Sequence, residues 1–323
     1  MTPKLNPDFG KLMGHVVLQI LMTVRDFVDS TMYLALPGIL PKLFAPKAVA
    51  GRDTVVTAIH QYYRSKGHCT ASASQLTQTR YNLARPFMDE LDIAGAELTN
   101  GLAVITNSVP TAFWVVFHVF SDPTVLSRVR DEVEPFVTTE KSTVKGFEAR
   151  TLHTNKLKDA HFIQALIQET LRFRARGTGP RMVLEDVTLS AGEADYHIEK
   201  DSMVIIAHEG MHYNKAVWGE NADKFVADRF LAGNKIPGNA FRGFGGGANM
   251  CPGKGFATAQ IVTLIAMLAV TLDMKPASGQ WEEPGQDQSN VARENTPPLK
   301  KVLVEIVPRR GMEHVKWTFS TEA

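Results

Sequence analysis

The sequence predicts a mostly α-helical protein with a small β part in its C-terminal half. Apolar residues recur at helical spacing in three long stretches, at 91–119, 158–176 and 255–274. Between 183 and 206 the pattern changes to short β-branched runs bounded by turn residues, which is typical of strands. No internal repeat is present, so the sequence indicates neither a solenoid nor a propeller.

The composition is that of an ordinary folded protein. Of the 323 residues, 44% are hydrophobic and 21% are charged. Lys and Arg number 35 against 34 Asp and Glu, and because this leaves no basic excess we expect no nucleic-acid partner. The two cysteines, Cys69 and Cys251, lack the paired spacing of a zinc site or a disulfide framework. We interpret Cys69 as an inert thiol.

The first hundred residues read as helical segments separated by a proline-rich corner at 34–46. No basic region leads into a continuous apolar run, so we expect no signal peptide. The apolar stretch 15–28 is too short to span a bilayer and is interrupted by Arg25 and Asp26. The stretch 255–274 is nearly long enough, but threonines and a glutamine interrupt it, and we expect a buried helix there.

The helix over 91–119 contains Pro110. A proline inside a helix removes the hydrogen bond to the carbonyl four residues back, here that of Thr106, and kinks the axis. With Asn107 and Ser108 beside it, the freed carbonyl makes a small polar notch in an apolar helix. The notch suits proton relay in a dry pocket. The alternative is a kinked core helix whose polar side chains are satisfied internally.

The next helices bracket a polar stretch. Residues 123–136 predict a short amphipathic helix, and 139–156 predict a loop. In the helix that follows, Glu169 falls on the same line as the apolar Phe162, Leu166 and Phe173. A carboxylate there is expected to be buried and to need a partner, which Arg172 can provide. The alternative is an ordinary surface pair.

A glycine-rich loop precedes the last long helix. Glycines at 243, 245, 246 and 247 allow sharp turns, and Cys251 is followed by Pro252, which favours a first helical turn. The arrangement predicts a thiolate at a helix N-terminus that can hold a metal, with Phe244 beside a bound ring. The alternative is a free cysteine that caps the helix. Beyond it, we expect a surface loop at 278–298 and one hairpin made of 300–308 and 314–319.

The loop matches a known signature. Phe244, Gly247, Cys251 and Gly253 give F-x-x-G-x-x-x-C-x-G, which resembles the haem-ligand signature of the cytochrome P450 family. The resemblance implies the cytochrome P450 fold, incomplete at the N-terminus, and a haem b whose iron Cys251 ligates. It also implies that these four residues bind the cofactor.

Further positions follow from the resemblance. The family carries the pair Glu169–Arg172 upstream of the cysteine loop and a third member in a later stretch, here Arg229, although Ala227 and Asp228 replace the usual proline and glutamate. The three are expected to form a buried, structural ion network. Arg181 and His212 match positions near the haem propionates. Asn249 stands where an arginine or histidine is usual, and it cannot form the salt bridge.

The kinked helix resembles one branch of the family. Its N-S-x-P-x-x-F-W pattern, at 107–114, is similar to the branch that contains cholesterol 7α-hydroxylase and prostacyclin synthase, and to related fungal members. In most of the family an acid and a threonine occupy the positions of Asn107 and Ser108. The resemblance implies that these two residues are catalytic, relay protons and shape the oxygen pocket.

The resemblance covers only the later two-thirds of the family's usual length. The membrane anchor, the proline-rich hinge, the early strands and an upstream W-x-x-x-R are missing from the sequence. We therefore expect a single partial domain over 1–323, from a truncated or split product or from an incomplete gene model. Relatives are anchored to the endoplasmic reticulum membrane by a segment that we do not expect in this sequence, so the resemblance assigns no compartment.

The resemblance implies a haem-thiolate monooxygenase that inserts one oxygen atom from O2 into an apolar substrate. The substrate class is a sterol, terpenoid, lipid or other secondary metabolite, and electrons come from a separate NADPH–cytochrome P450 reductase. One alternative is an isomerase or dehydratase of a peroxide substrate, which needs no reductase. The other is a truncated, catalytically inactive remnant.

Overall fold

A computed structural model describes residues 30–34, 36–141, 148–231, 233, 236, 238–287 and 294–321. The apolar stretch 15–28 and the N-terminus lie outside the described residues. The helices within these ranges are α1 (Thr31–Leu34), α2 (Leu40–Phe44), α3 (Pro46–Arg64), α4 (Gln75–Ala84), α5 (Glu90–Ser121), α6 (Pro123–Val133), α7 (His161–Arg174), α8 (His208–His212), α9 (Lys215–Trp218) and α10 (Lys254–Thr271). The mostly α class is confirmed, and α5, α7 and α10 correspond to the three predicted stretches.

The strands are short and form separate small sheets. They are β1 (Val137–Lys141), β2 (Glu148–His153), β3 (Thr178–Met182), β4 (Val187–Ala191), β5 (Ala194–Ile198), β6 (Met203–Ala207), β7 (Leu272–Pro276), β8 (Val304–Pro308) and β9 (Val315–Ser320). In the described residues, β1–β2–β9 form a three-stranded sheet, and β3–β6, β4–β5 and β7–β8 form two-stranded sheets. The predicted strand region at 183–206 is confirmed by β4, β5 and β6, whereas β3 precedes it and was not predicted.

Two predictions about the strands are wrong. The polar stretch 139–156, expected as a loop, contributes β1 and β2, which pair antiparallel. The two C-terminal strands do not form one hairpin, since β8 pairs antiparallel with β7 and β9 pairs parallel with β2. The first error is local, because β1 and β2 lie six residues apart but their sequences are polar. The second concerns β2 and β9, which are distant in sequence, and local patterns do not contain that pairing.

The chain divides into two compact units, Met1–Thr106 and Asn107–Ala323. In the first unit, a small core joins Val55 of α3 to Leu98 and Leu102 of α5. In the second unit, a large core contains buried residues of α6, α7 and α10 together with the C-terminal turns of α5. The candidate site residues, apart from Cys69, belong to this second unit.

Side chains at helix ends set the boundaries in the second unit. Asp122 ends α5 and caps α6, because its Oδ1 accepts from the backbone N–H of Thr124 at 2.8 Å and of Val125 at 3.3 Å. The carboxylate of Glu132 accepts from the N–H groups of Phe162 at 2.6 Å and of Ile163 at 3.0 Å, and so ties α6 to the start of α7. These contacts hold α7 in place, and α7 carries the buried charges of the site.

Within the described part of the chain, two helices, α5 and α10, are long and apolar enough to cross a membrane, judged by length and composition alone. The core helices of soluble proteins meet the same criterion, so this is weak evidence for a span. One face of α10 is buried in the protein core through Ile261, Val262, Ile265, Ala266, Ala269 and Val270.

Candidate active site

The loop before α10 folds into two tight turns around the predicted metal ligand. Gly245 and Gly247 adopt φ values of +72° and +68°, a left-handed conformation that favours glycine. The N–H of Gly245 donates to the carbonyl of Arg242 at 2.8 Å, and the N–H of Cys251 donates to the carbonyl of Phe244 at 2.9 Å. The loop is therefore closed by its own backbone, and the Cys251 side chain is exposed.

The helix begins later than the sequence indicated. Helix α10 starts at Lys254 with Gly253 as its N-cap, so Pro252 precedes the helix instead of occupying its first turn. The N–H of Lys254 donates to the carbonyl of Cys251 at 3.3 Å, which links the cysteine to the first turn. The sulfur therefore belongs to a turn at the positive end of the helix, where a thiolate is stabilised.

The residues of this loop fit a thiolate-bound haem. A Cβ placed at Gly247 would meet no atom within 4 Å, so the backbone there is open to a flat ligand. Next to the cysteine, Met250 is 50% exposed and offers apolar surface to a macrocycle. The accessible sulfur of Cys251 can serve as the thiolate ligand of a haem iron, and the open backbone and the apolar side chain beside it leave room for the porphyrin.

A cavity of about 410 Å³ adjoins the same loop. It is lined by Phe244, Gly245, Gly246, Gly247 and Met250, together with Gln168, Phe230, Ile236, Gly238, Phe241, Arg242 and Lys254. Cys251 is not among its lining residues, so we do not assign the cofactor to this cavity.

The structure brings Glu169, Arg172 and Arg229 together. Arg172 donates from Nε to Glu169 Oε2 at 2.7 Å and from Nη2 to Glu169 Oε1 at 2.8 Å, and neither side chain is exposed. Arg229 donates from Nε to Glu169 Oε1 at 3.1 Å. The carboxylate thus accepts from two guanidinium groups inside the protein, so this buried negative charge is paired.

Uncharged carbonyl oxygens accept from the remaining donors of these arginines. Arg172 Nη1 donates to the carbonyls of His212 at 2.8 Å and Ala222 at 2.7 Å, and Nη2 donates to that of Lys224 at 2.8 Å. The network therefore ties α7 to α8 and to the segment that contains Ala222 and Lys224. Asp228, at the position of the family's glutamate, pairs instead with Arg128 at 2.7 Å.

The turn of α5 that precedes Pro110 holds the two predicted catalytic residues. Asn107 and Ser108 are both half-buried, and Val109 beside them is 60% exposed. The hydroxyl of Thr111 donates to the Asn107 carbonyl at 2.6 Å, one residue beyond the Thr106 carbonyl that Pro110 cannot serve. No hydrogen bond or ion pair between described residues joins this turn to the cysteine loop.

The sequence analysis missed two residues beside this turn. The stretch 278–298 was expected to be a surface loop, but Asn295 and Thr296 are buried. Asn295 Nδ2 donates to Thr111 Oγ1 at 2.9 Å, and Trp114 Nε1 donates to the Thr296 carbonyl at 2.9 Å. The polar stretch contains no periodicity that could have revealed this burial.

The residues expected near the haem propionates have different surroundings. Arg181 lies in β3, partly exposed, and among described residues it has no carboxylate partner, only a bond to the Pro180 carbonyl at 2.8 Å. It is therefore available for an anionic ligand. Asn249 is exposed on the cysteine loop. Cys69 is exposed and lies in the first unit.

His212 does not suit contact with a propionate. Its ring is fully buried and stacks on Phe241, with the ring centroids 5.7 Å apart. Its Nε2 accepts the backbone N–H of Arg242 at 2.9 Å, so that nitrogen carries no proton. Burial, assisted by His208 and Arg172, lowers the pKa of His212 to about 4. In this structure His212 instead holds the backbone at Arg242, directly before the cysteine loop.

Comparison with known proteins places these features in context. The sequence model of the family described as Cytochrome P450 matches residues 46–302. Cytochrome P450 monooxygenase nodJ of Hypoxylon pulicicidum is 31% identical over 309 residues, which is 91% of this chain and 59% of that protein.

More distant relatives have more specific names. Cholesterol 7-alpha-monooxygenase of Cricetulus griseus is 26% identical over 227 residues, 66% of this chain and 45% of its own. A bifunctional cytochrome P450/NADPH–P450 reductase of Gibberella moniliformis is 28% identical over 184 residues, 56% of this chain and 15% of its own. The chain spans less than two-thirds of the length of each of these relatives.

Proposed function

The chain belongs to the cytochrome P450 family, and we propose that it is a haem-thiolate monooxygenase that inserts one oxygen atom from O2 into an apolar substrate. We further propose a sterol, terpenoid, lipid or similar secondary metabolite as the substrate. The similarity to a cholesterol 7-alpha-monooxygenase supports this class and the branch that the kinked-helix pattern indicated. The similarity to a protein that includes an NADPH–P450 reductase supports such a reductase as the electron donor.

One observation carries the proposal: the exposed thiol of Cys251 at the closed turn before α10. The backbone bond from Cys251 to Phe244 fixes the cysteine without using its side chain, so the sulfur is left for a ligand. Phe244, Gly247 and Gly253 shape the backbone beside it. The buried Glu169–Arg172–Arg229 network ties α7 to the segment 222–229 and has a structural role.

The remaining residues have separate tasks in this proposal. When bound, haem supplies the iron at which O2 is activated. Arg181 binds a haem propionate, which its planar fork suits. Asn107 and Ser108 form the polar side of the oxygen pocket. Within the described residues neither side chain donates a hydrogen bond to the protein, so both donors are available. We also propose that 1–323 form part of one such domain.

The proposal is tested by loading the purified chain with haem and recording the CO difference spectrum after dithionite reduction. We expect the absorption band typical of thiolate-ligated haem in the wild type and in Cys69→Ser. The band is expected to vanish in Cys251→Ser, because a hydroxyl does not replace the thiolate as a ligand. Cys69→Ser is the matched control, since it removes the other exposed thiol.

Other outcomes would redirect the assignment. Retention of the thiolate band in Cys251→Ser would overturn the ligand assignment. Turnover of a peroxide substrate without NADPH or O2 would support an isomerase or dehydratase. Failure of the chain to take up haem in stoichiometric amount would support an inactive remnant.

A further inference from the structure

The side chain of Asn107 accepts a hydrogen bond from a backbone N–H group, and this bond allows its carboxamide only one orientation. The backbone N–H of Asn295 lies 3.3 Å from Asn107 Oδ1. A backbone N–H can only donate, so the atom that faces it must be the carbonyl oxygen of the carboxamide. The amide nitrogen of Asn107 is therefore directed away from Asn295.

Thr111 fixes the neighbouring amide in the same way. The single hydroxyl hydrogen of Thr111 is donated to the backbone carbonyl of Asn107 at 2.6 Å. The hydroxyl oxygen of Thr111 can therefore only accept a hydrogen bond from the Asn295 side chain. The Asn295 group that approaches at 2.9 Å is accordingly Nδ2. Thr111 and Asn295 are each only 2% exposed, and water does not compete for these bonds.

The segment that contains Asn295 is itself held on both sides. The Glu294 carbonyl accepts from the N–H of Arg176 at 2.9 Å, and Glu294 Oε1 lies 2.7 Å from His208 Nδ1. The next residue, Thr296, accepts from Trp114 Nε1 at 2.9 Å. Asn295 is thus a fixed support, and the Asn107 side chain takes its orientation from it.

We propose that Asn295 and Thr111 are positioning residues for Asn107, which they hold with its oxygen engaged and its two amide hydrogens presented as donors. Resting on the proposed function, this makes Asn107 a hydrogen-bond donor to an oxygen atom of the bound ligand. A carboxamide oriented in this way does not accept a proton. Proton relay, expected at both residues from the sequence, is then left to the Ser108 hydroxyl.

The first test needs no haem and measures hydrogen exchange at the single backbone amide of Asn295. Asn107→Asp keeps an acceptor oxygen and is expected to leave the exchange rate close to that of the wild type. Asn107→Leu removes the acceptor and is expected to raise the rate roughly tenfold or more. The amide of Arg176, whose bond to Glu294 does not involve residue 107, is the internal reference for intact folding.

Equal exchange of the Asn295 amide in wild type and Asn107→Leu, with the Arg176 amide unchanged, would overturn the proposal. So would rapid exchange in Asn107→Asp, because it would mean that an acceptor oxygen at residue 107 does not protect the Asn295 amide.

The second test uses carbon monoxide as a probe in the reduced, haem-loaded chain. Thr111→Val removes the hydroxyl at nearly constant shape, and Thr111→Ser retains it. We expect one narrow C–O stretching band in the wild type and in Thr111→Ser, and a broadened or split band in Thr111→Val. A single unshifted band in Thr111→Val would contradict the positioning role. If no variant takes up haem, the proposed function fails, while the exchange experiment still decides the orientation of Asn107.

Discussion

The Glu169 carboxylate shows what one buried charge does in this fold. It receives two bonds from Arg172, one from Arg229 and a backbone N–H from Val226 at 2.8 Å. Without its negative charge, two arginines would be left in the interior with only carbonyl partners. A buried ion pair stabilises little relative to apolar residues, but removal of one partner is costly.

We predict that Glu169→Gln lowers the free energy of unfolding by about 3–5 kcal/mol, because it keeps the shape of the side chain and deletes the charge. Urea unfolding followed by circular dichroism measures this change. Glu220→Gln is the matched control, since Glu220 pairs with Lys215 at 3.2 Å on the surface, and we expect less than about 0.5 kcal/mol there. Equal losses in both variants would mean that the network does not support the fold.

Single residues also show which parts of the candidate site could be predicted from the sequence. Glu169 and Arg172 were predictable because a charged residue on an apolar helical line must find a partner, and one lay a turn away. The surroundings of His212 could not be predicted, because its burial against Phe241 depends on a loop that lies thirty residues later in the sequence. Asn295 carried no local signal, because its partners lie on a helix about 180 residues earlier.

At the scale of elements, the helices followed their sequence patterns and the strand pairing did not. Helices α5, α7 and α10 show apolar periodicity within one stretch of sequence, which is enough to locate the body of each helix, although α10 begins later than Pro252 indicated. The pairing of β2 with β9 joins residues 148 and 315, and such distant contacts leave no local periodicity. The strands β4, β5 and β6 were predictable, because most of this region consists of short runs that contain β-branched residues and are bounded by turn residues.

The packing of α8 against the cysteine loop leads to a pH prediction. His212 accepts the Arg242 N–H only when its ring is neutral. Burial lowers the pKa of His212 from 6.5 to about 4. Below pH 6.5 the unfolded chain binds a proton that the folded chain refuses, so stability is complete at neutral pH and is lost as the pH falls toward 4. For this one residue the loss between pH 7 and pH 5 is about 2 kcal/mol.

Chemical unfolding at pH 7 and pH 5 tests this value. His212→Gln keeps an acceptor for the Arg242 N–H but cannot titrate, and its stability is expected to fall less between the two pH values. Part of the slope will remain, because burial, with Arg174 nearby, lowers the pKa of His118 to about 3 in the same direction. An identical slope in wild type and variant would contradict the assignment of the titration to His212.

At the scale of the whole molecule, the candidate residues for haem, oxygen and the buried network lie within 107–323. The family match begins at residue 46 and so extends into the first unit as well. A ligand that binds only the folded state stabilises it by mass action, and the stabilisation is confined to the cooperative unit that contains the site. Haem is therefore expected to protect the two parts of the chain unequally.

We predict that addition of hemin raises the unfolding temperature and slows hydrogen exchange mainly within 107–323. At a free hemin concentration one hundred times the dissociation constant, the stabilisation is about 2.7 kcal/mol. Differential scanning calorimetry and peptide-level exchange, each with and without hemin, measure the two effects, and Cys251→Ser provides the control with the ligand sulfur removed. Protection in the wild type should include peptides around Cys251 and around Asn107, because the proposed ligand contacts both. Protection of equal size in Cys251→Ser would show that hemin binds through its apolar surface alone and that the thiol contributes nothing to its binding.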